Sequence, residues 1–163
     1  MFRRTLTTAA IAVAALALAS TGTALGSSVA GHAGGVKTGT WRGTIQNQEL
    51  SFAEGSYTTK IVVKANHGRI SWVAATVRME CPETTVWDAQ VSKTYSKRTG
   101  PKLTANGGFT VRIPTVDGPF SKAGAKVRVS GALKPGGASG TATARAQAEG
   151  CSGMGNWHAR RIH

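Results

Sequence analysis

A period of two runs through this chain and limits what it can fold into more than any other feature. Phe109, Val111 and Ile113 alternate with Thr110 and Arg112, and Val127 and Val129 alternate with Lys126, Arg128 and Ser130. Ala142, Ala144, Ala146 and Ala148 alternate with Thr141, Thr143, Arg145, Gln147 and Glu149. Successive side chains of a strand point to opposite faces, whereas a helical stripe needs apolar residues three and four apart. Alanine favours helix, so the run 141–149 is where a helix competes. Its strict alternation reads instead as a strand whose all-alanine inner face is closely approached by a neighbour.

The same parity places Trp41, Gly43 and Ile45 on one face with Arg42 and Thr44 on the other, and Leu50 and Phe52 continue it after a polar turn at Gln46-Asn47-Gln48. Turn chemistry separates the runs. Asn66-His67-Gly68, Asn106-Gly107-Gly108, Val116-Asp117-Gly118-Pro119 and Pro135-Gly136-Gly137 hold residues that tolerate positive φ or terminate pairing. His67 is expected at an exposed hairpin turn. Within 69–79 the apolar positions change parity, from Ile70, Trp72 and Ala74 to Val73, Val77 and Met79, so either both faces are covered or a bulge switches them. Cys81-Pro82-Glu83 should end that strand. Residues 86–95 form another, with Trp87, Ala89, Val91 and Tyr95 on one side, and the basic stretch 93–102 reads as a loop. The expected fold is all-β, a single-domain antiparallel β-sandwich or flattened barrel of about 7–9 strands.

The N-terminus is different. Met1-Phe2-Arg3-Arg4 precedes an apolar run, Ala9 to Ala19, and a small-residue exit at Ala24-Leu25-Gly26, the organisation of a secretory signal peptide. The run is shorter than the roughly 20 apolar residues of a spanning helix, so no transmembrane anchor is expected. Cleavage fits after Ala24, Gly26 or Ala30, with Gly26 favoured. A twin-arginine signal is the weaker reading of Arg3-Arg4, because only Leu6 supplies the apolar residue after the pair. The chain is thus read as a leader at 1–26, a Gly/Ser/Ala-rich flexible lead-in at 27–38 and one domain at 39–163, secreted to the extracellular side. The domain has room for one real core but not two.

Cys81 and Cys151 are the two cysteines. In an oxidising compartment they are expected to pair, closing a loop of about 70 residues and contributing about 4.4 kcal/mol in the chain-entropy picture.

The segment Gly150-Cys151-Ser152-Gly153-Met154-Gly155-Asn156-Trp157-His158-Ala159-Arg160 resembles the ending of small secreted bacterial β-sandwich proteins of unknown function. In these a cysteine follows glycine, a glycine turn comes next, and Trp-x-Ala-Arg lies in a final strand. Trp41-Arg42-Gly43 matches their opening strand. The resemblance implies fold and export and carries no activity. Alternation turns Trp157 and Ala159 inward and His158 and Arg160 outward, so Trp41 and Trp157 are expected to fill the core from paired terminal strands.

Signals for catalysis are poor. A glycosidase needs two carboxyl groups flanking a bond; the candidates Glu49, Glu54, Glu80, Glu83, Asp88, Asp117 and Glu149 sit in no recognisable signature. Ser152 lacks the glycine spacing and strand-to-helix context of a nucleophile elbow and reads as part of a flexible turn. His67, His158 and His163 lack paired metal-ligand spacing. The chain is expected to be no enzyme and to need no cofactor or metal.

Charge is the remaining lead. Lys and Arg total 20 against 7 Asp and Glu, and the leader holds only Arg3 and Arg4 of that excess. Arg42, Lys60, Lys64, Arg112, Lys126, Arg128 and Arg145 fall on outward positions. The set Arg42, Lys64, Arg112, Lys126, Arg128 and Arg145 is the candidate surface for an anionic polysaccharide or cell-envelope polymer, with extracellular nucleic acid a less supported partner. Charged outer faces also keep strand edges from aggregating. The alternatives are a lectin-like carbohydrate module using Trp72 or Trp87, and a small hydrolase or a protease inhibitor presenting loop 93–102. A monomer is expected.

Overall fold

The structure is a computed structural model and describes residues 38–47, 57–114 and 125–162. The leader, most of the lead-in, Leu50, Phe52, the turn at 116–119 and the carboxylates Glu49, Glu54 and Asp117 lie outside these residues, as does His163.

Eight antiparallel strands form one sheet: β1 Gly39–Asn47, β2 Thr58–Asn66, β3 Arg69–Glu80, β4 Val86–Thr94, β5 Gly108–Pro114, β6 Lys126–Lys134, β7 Gly137–Ala146 and β8 Cys151–Ile162. Their order is β4-β3-β2-β1-β8-β7-β6-β5. Two four-stranded meanders are therefore joined through the first and last strands, and β4 and β5 form the ends of the sheet. The sheet coils on itself so that one face becomes the interior. A second pairing, Glu80 of β3 with Ser152 of β8, shows how tightly: both strands outrun β1 and β2 between them and meet beyond their ends. The Cys81–Cys151 disulfide sits beside that pair, with Cα atoms 4.1 Å apart.

Alternation predicts the interior well. Trp41, Ile45, Val111, Ile113, Val127, Val129, Leu133, Ala142, Ala144 and Trp157 are buried, and they join β2 and β3 residues in one core. The parity change in β3 is a bulge. Ala65 pairs with Ile70 and Lys64 with Trp72, so Ser71 is the extra residue, and Ile70 and Val73 both turn inward. Ser71 makes use of its position by donating its hydroxyl to Lys64 O. The preceding hairpin turn has His67 at φ 50° and Gly68 at φ 73°, the left-handed pair that a two-residue turn between twisted strands requires.

Four expectations need correction. Ala148 does not extend the alanine face: the strand ends at Ala146, and Gln147–Glu149 turn in a short 3-10 helix with Ala148 exposed. Lys93 and Thr94 belong to β4, and the loop that follows lies back on β3 through Ile70 N–H to Pro101 O (2.9 Å) and the Arg69 guanidinium to Gly100 O (2.7 Å). Asn47 is no part of an open turn but a buried strand end. Residues 151–155 are not a glycine turn either, and Ser152 lies within β8. The glycines there answer to crowding rather than to φ. A Cβ on Gly153 would run into Arg78 O, and one on Gly155 into Ile45 and Gln46 O.

Candidate polyanion-binding surface

Because β-sheet registers are known, the outer face can be read rung by rung. Thr94, Trp72, Lys64 and Thr40 form one rung across β4-β3-β2-β1; Ser92, Ala74, Val62 and Arg42 form the next, which continues to Arg160 on β8. Thr76 on β3 is followed on the third rung by Thr44 of β1 opposite Lys60 and His158. Arg42 and Arg160 are thus direct cross-strand partners, both exposed, with Lys60 and Lys64 diagonal to Arg42. Like charges placed directly opposite destabilise a sheet, so this grouping gives nothing to the fold.

Between the first and third rungs lies a depression of about 270 Å³ lined by Lys60, Val62, Ala74, Thr76, Gln90 and Ser92. The floor is apolar because two small or branched side chains, Ala74 and Val62, stand where longer ones flank them. Trp72 borders it from the neighbouring rung. Its indole N–H donates to Ser92 Oγ at 3.1 Å, and the Lys64 ammonium stands 5.1 Å from the ring centroid. The hydrogen bond orients the ring, and the cation–π contact holds Lys64 beside it.

The other candidate cations group elsewhere. Arg112 faces Arg128 across β5-β6, and Lys126 faces Arg145 across β6-β7; all four are exposed. From β1 to β5, the two rungs between the groups carry Thr44, His158, Ser139 and Ala132, then Gln46, Asn156, Thr141, Ser130 and Thr110. The six residues picked out by parity are therefore all outward, in two clusters: Arg42 with Lys64, and Arg112, Lys126, Arg128 with Arg145. The role of Trp72 beside the first cluster, and the contributions of Lys60 and Arg160, depend on strand order. No local signal in the sequence gives that order.

Of the described carboxylates, Glu80 lies on the rung of Lys126 and Arg145, across Ser152 of β8. Asp88 holds Arg78 in a two-pronged ion pair (2.8 and 3.1 Å), which keeps that guanidinium's pKa above its ordinary value, with the hydrogen bond as the main cause. Arg78 also stacks 4.3 Å from the Tyr57 ring centroid. Glu83 and Glu149 border a second depression, of about 370 Å³, together with Pro82, Thr85, Trp87 and the disulfide. Trp87 keeps the parity of Ala89 and Val91 but sits at the end of the edge strand, 40% exposed instead of packed in the core. His67 lies in its turn and His158 on the outer face of β8. Among the described residues no three His, Cys, Asp or Glu side chains gather as a metal site, and no helix is long and apolar enough to cross a membrane.

No protein-family model, curated protein or solved structure matches this chain.

Proposed function

We propose that this is a secreted, non-catalytic module that binds an acidic polysaccharide through the outer face of β1, β2, β3 and β4. The observation that carries the reading is the combination around Trp72: an oriented indole, a depression with an apolar floor of Val62 and Ala74 and Lys60 in its lining, and Lys64 and Arg42 at neighbouring positions on the same face. Each part matches a part of an acidic sugar. The C–H face of a pyranose ring packs on apolar and aromatic carbon. Ser92, Gln90 and Thr76 offer hydrogen-bonding groups to ring hydroxyls, and the cations meet a carboxylate or sulfate. The depression falls just below the size of pockets for drug-sized ligands, which suits one sugar residue of a longer chain. The disulfide is compatible with an extracellular setting.

The test is retention on immobilised dextran sulfate against a control protein of equal size and charge. Later elution than the control, falling steeply with salt and shifted toward the control position by R42Q/K60Q/K64Q, is expected. W72A should reduce retention in the same direction with no change in charge. Elution with the control overturns the reading, and equal retention on uncharged dextran would replace it with a neutral lectin.

A further inference from the structure

The second cluster has no part in that reading and carries its own consequence. Arg112 and Arg128 stand directly opposite each other, as do Lys126 and Arg145 on the next rung, so four cations occupy a compact area of two rungs on three strands. Thr143 extends the first rung and Ser152 the second, placing hydroxyls beside the charges. On these rungs the nearest described carboxylate is Glu80, two strands beyond Arg145 across Ser152. Stability does not explain the arrangement, since directly opposed like charges oppose pairing. A pair of guanidinium groups side by side is instead suited to a multiply charged oxyanion, which accepts parallel N–H donors from each fork. Both clusters belong to one hydrogen-bonded sheet. Arg128 is three strands and six residues of register from Arg42, on the order of 25 Å along the sheet surface by ordinary strand dimensions.

We propose that the outer face of β5-β6-β7 is a second, independent site for sulfate- or phosphate-bearing polymer, which makes the protein bivalent and able to bridge two polyanion chains or two stretches of one. The second site differs in kind from the first: it has cations and hydroxyls but no aromatic residue on its rungs, so it reads charge density rather than sugar shape. Bivalency raises the avidity for long polymers far above that for fragments too short to span the clusters.

The test is isothermal titration calorimetry at low salt with a fully sulfated disaccharide, too short to reach both clusters. Two equivalents per wild-type chain are expected, and one each for R42Q/K60Q/K64Q and R112Q/K126Q/R128Q/R145Q. Should the fourfold variant prove unstable by circular dichroism, R128Q alone is expected to weaken one of the two binding events several-fold. A single equivalent that persists in the fourfold variant and disappears in R42Q/K60Q/K64Q overturns the second site and leaves the first. A single equivalent that disappears only in the fourfold variant overturns the Trp72 site and leaves the second. Two equivalents unaffected by the fourfold variant, or no binding, overturn the second site.

Discussion

The side-chain carbonyl of Asn47 accepts the backbone N–H of Arg78 at 3.0 Å, joining the end of β1 to β3 although β2 lies between them in the sheet. The same side chain donates its amide to Tyr57 O (3.0 Å) and Thr59 Oγ1 (3.1 Å), and the Thr59 hydroxyl passes on to Thr76 O. Asn47 is 4% exposed. It therefore ties the end of β1 to the backbone of β3 and to the start of β2. Replacing it by alanine leaves the Arg78 N–H without this partner, at about 1–3 kcal/mol, and removes side-chain bonds to Tyr57 O and Thr59 Oγ1 worth about 0.5–1.5 kcal/mol each, since Tyr57 O keeps the backbone N–H of residue 47 and the Thr59 hydroxyl keeps Thr76 O. N47A is expected to lower the unfolding free energy by about 3 kcal/mol in urea titration. Asn47→Asp should not restore it, because its carboxylate turns an acceptor toward Tyr57 O.

Gly131 and Gly140 face each other across β6-β7, and Trp157 of β8 is the cross-strand partner of Gly140. Trp157 reaches over both glycines to donate its indole N–H to Ser130 O at 3.1 Å and to meet the Phe109 ring, with centroids 6.1 Å apart. A Cβ on Gly131 would collide with the indole and with Ser139 O. Overpacking of this kind costs about 1–3 kcal/mol. G131A should therefore be destabilised by that amount in chemical denaturation, with a shifted tryptophan emission maximum. A normal melting curve would mean that Trp157 has room to move.

The disulfide closes a 70-residue separation, beside the single Glu80–Ser152 pair that brings β3 to β8. C81S/C151S is expected to lose up to about 4 kcal/mol, by restoring the entropy of the unfolded chain. Thermal melts with and without reductant check this. The double mutant should match the reduced wild type and should not respond to reductant.

Tyr95 packs against the core where β4 ends, with its N–H bonded to Ser71 O and Lys93 Nζ 5.3 Å from its ring centroid. Burial raises its pKa, since the phenolate is the form that loses by leaving water. The folded chain thus holds this proton more tightly than the unfolded chain does. The stability due to it is fully present below the ordinary tyrosine value, about 10, and is lost as pH rises from there through the folded value. Denaturation midpoints measured from about pH 9 to pH 11 should fall further in the wild type than in Tyr95→Phe. Parallel curves would show that the phenol does not ionise differently on unfolding.

Local sequence determined which residues are strands, where most of them end and which way their side chains face, because a strand's two faces follow from a period of two and its turns from glycine, asparagine and proline. It also determined the disulfide, since one pair of cysteines permits one bridge, and the inward positions of Trp41 and Trp157. Three matters were decided only by the tertiary structure. Gly153 and Gly155 read as a turn, yet they lie inside β8 because the backbones of β3 and β1 pass too close for a Cβ. Asn47 read as a loop residue, yet it is buried because its side-chain amide joins the backbone of β3 to Tyr57 and Thr59. The basic residues read as one outward set, yet they form two clusters, because joining β1 to β8 puts Arg42 beside Arg160 and separates it by two rungs from Arg112 and Arg128. Strand order and register arise from contacts between distant parts of the chain, and the alternation within any one strand carries no record of its neighbours.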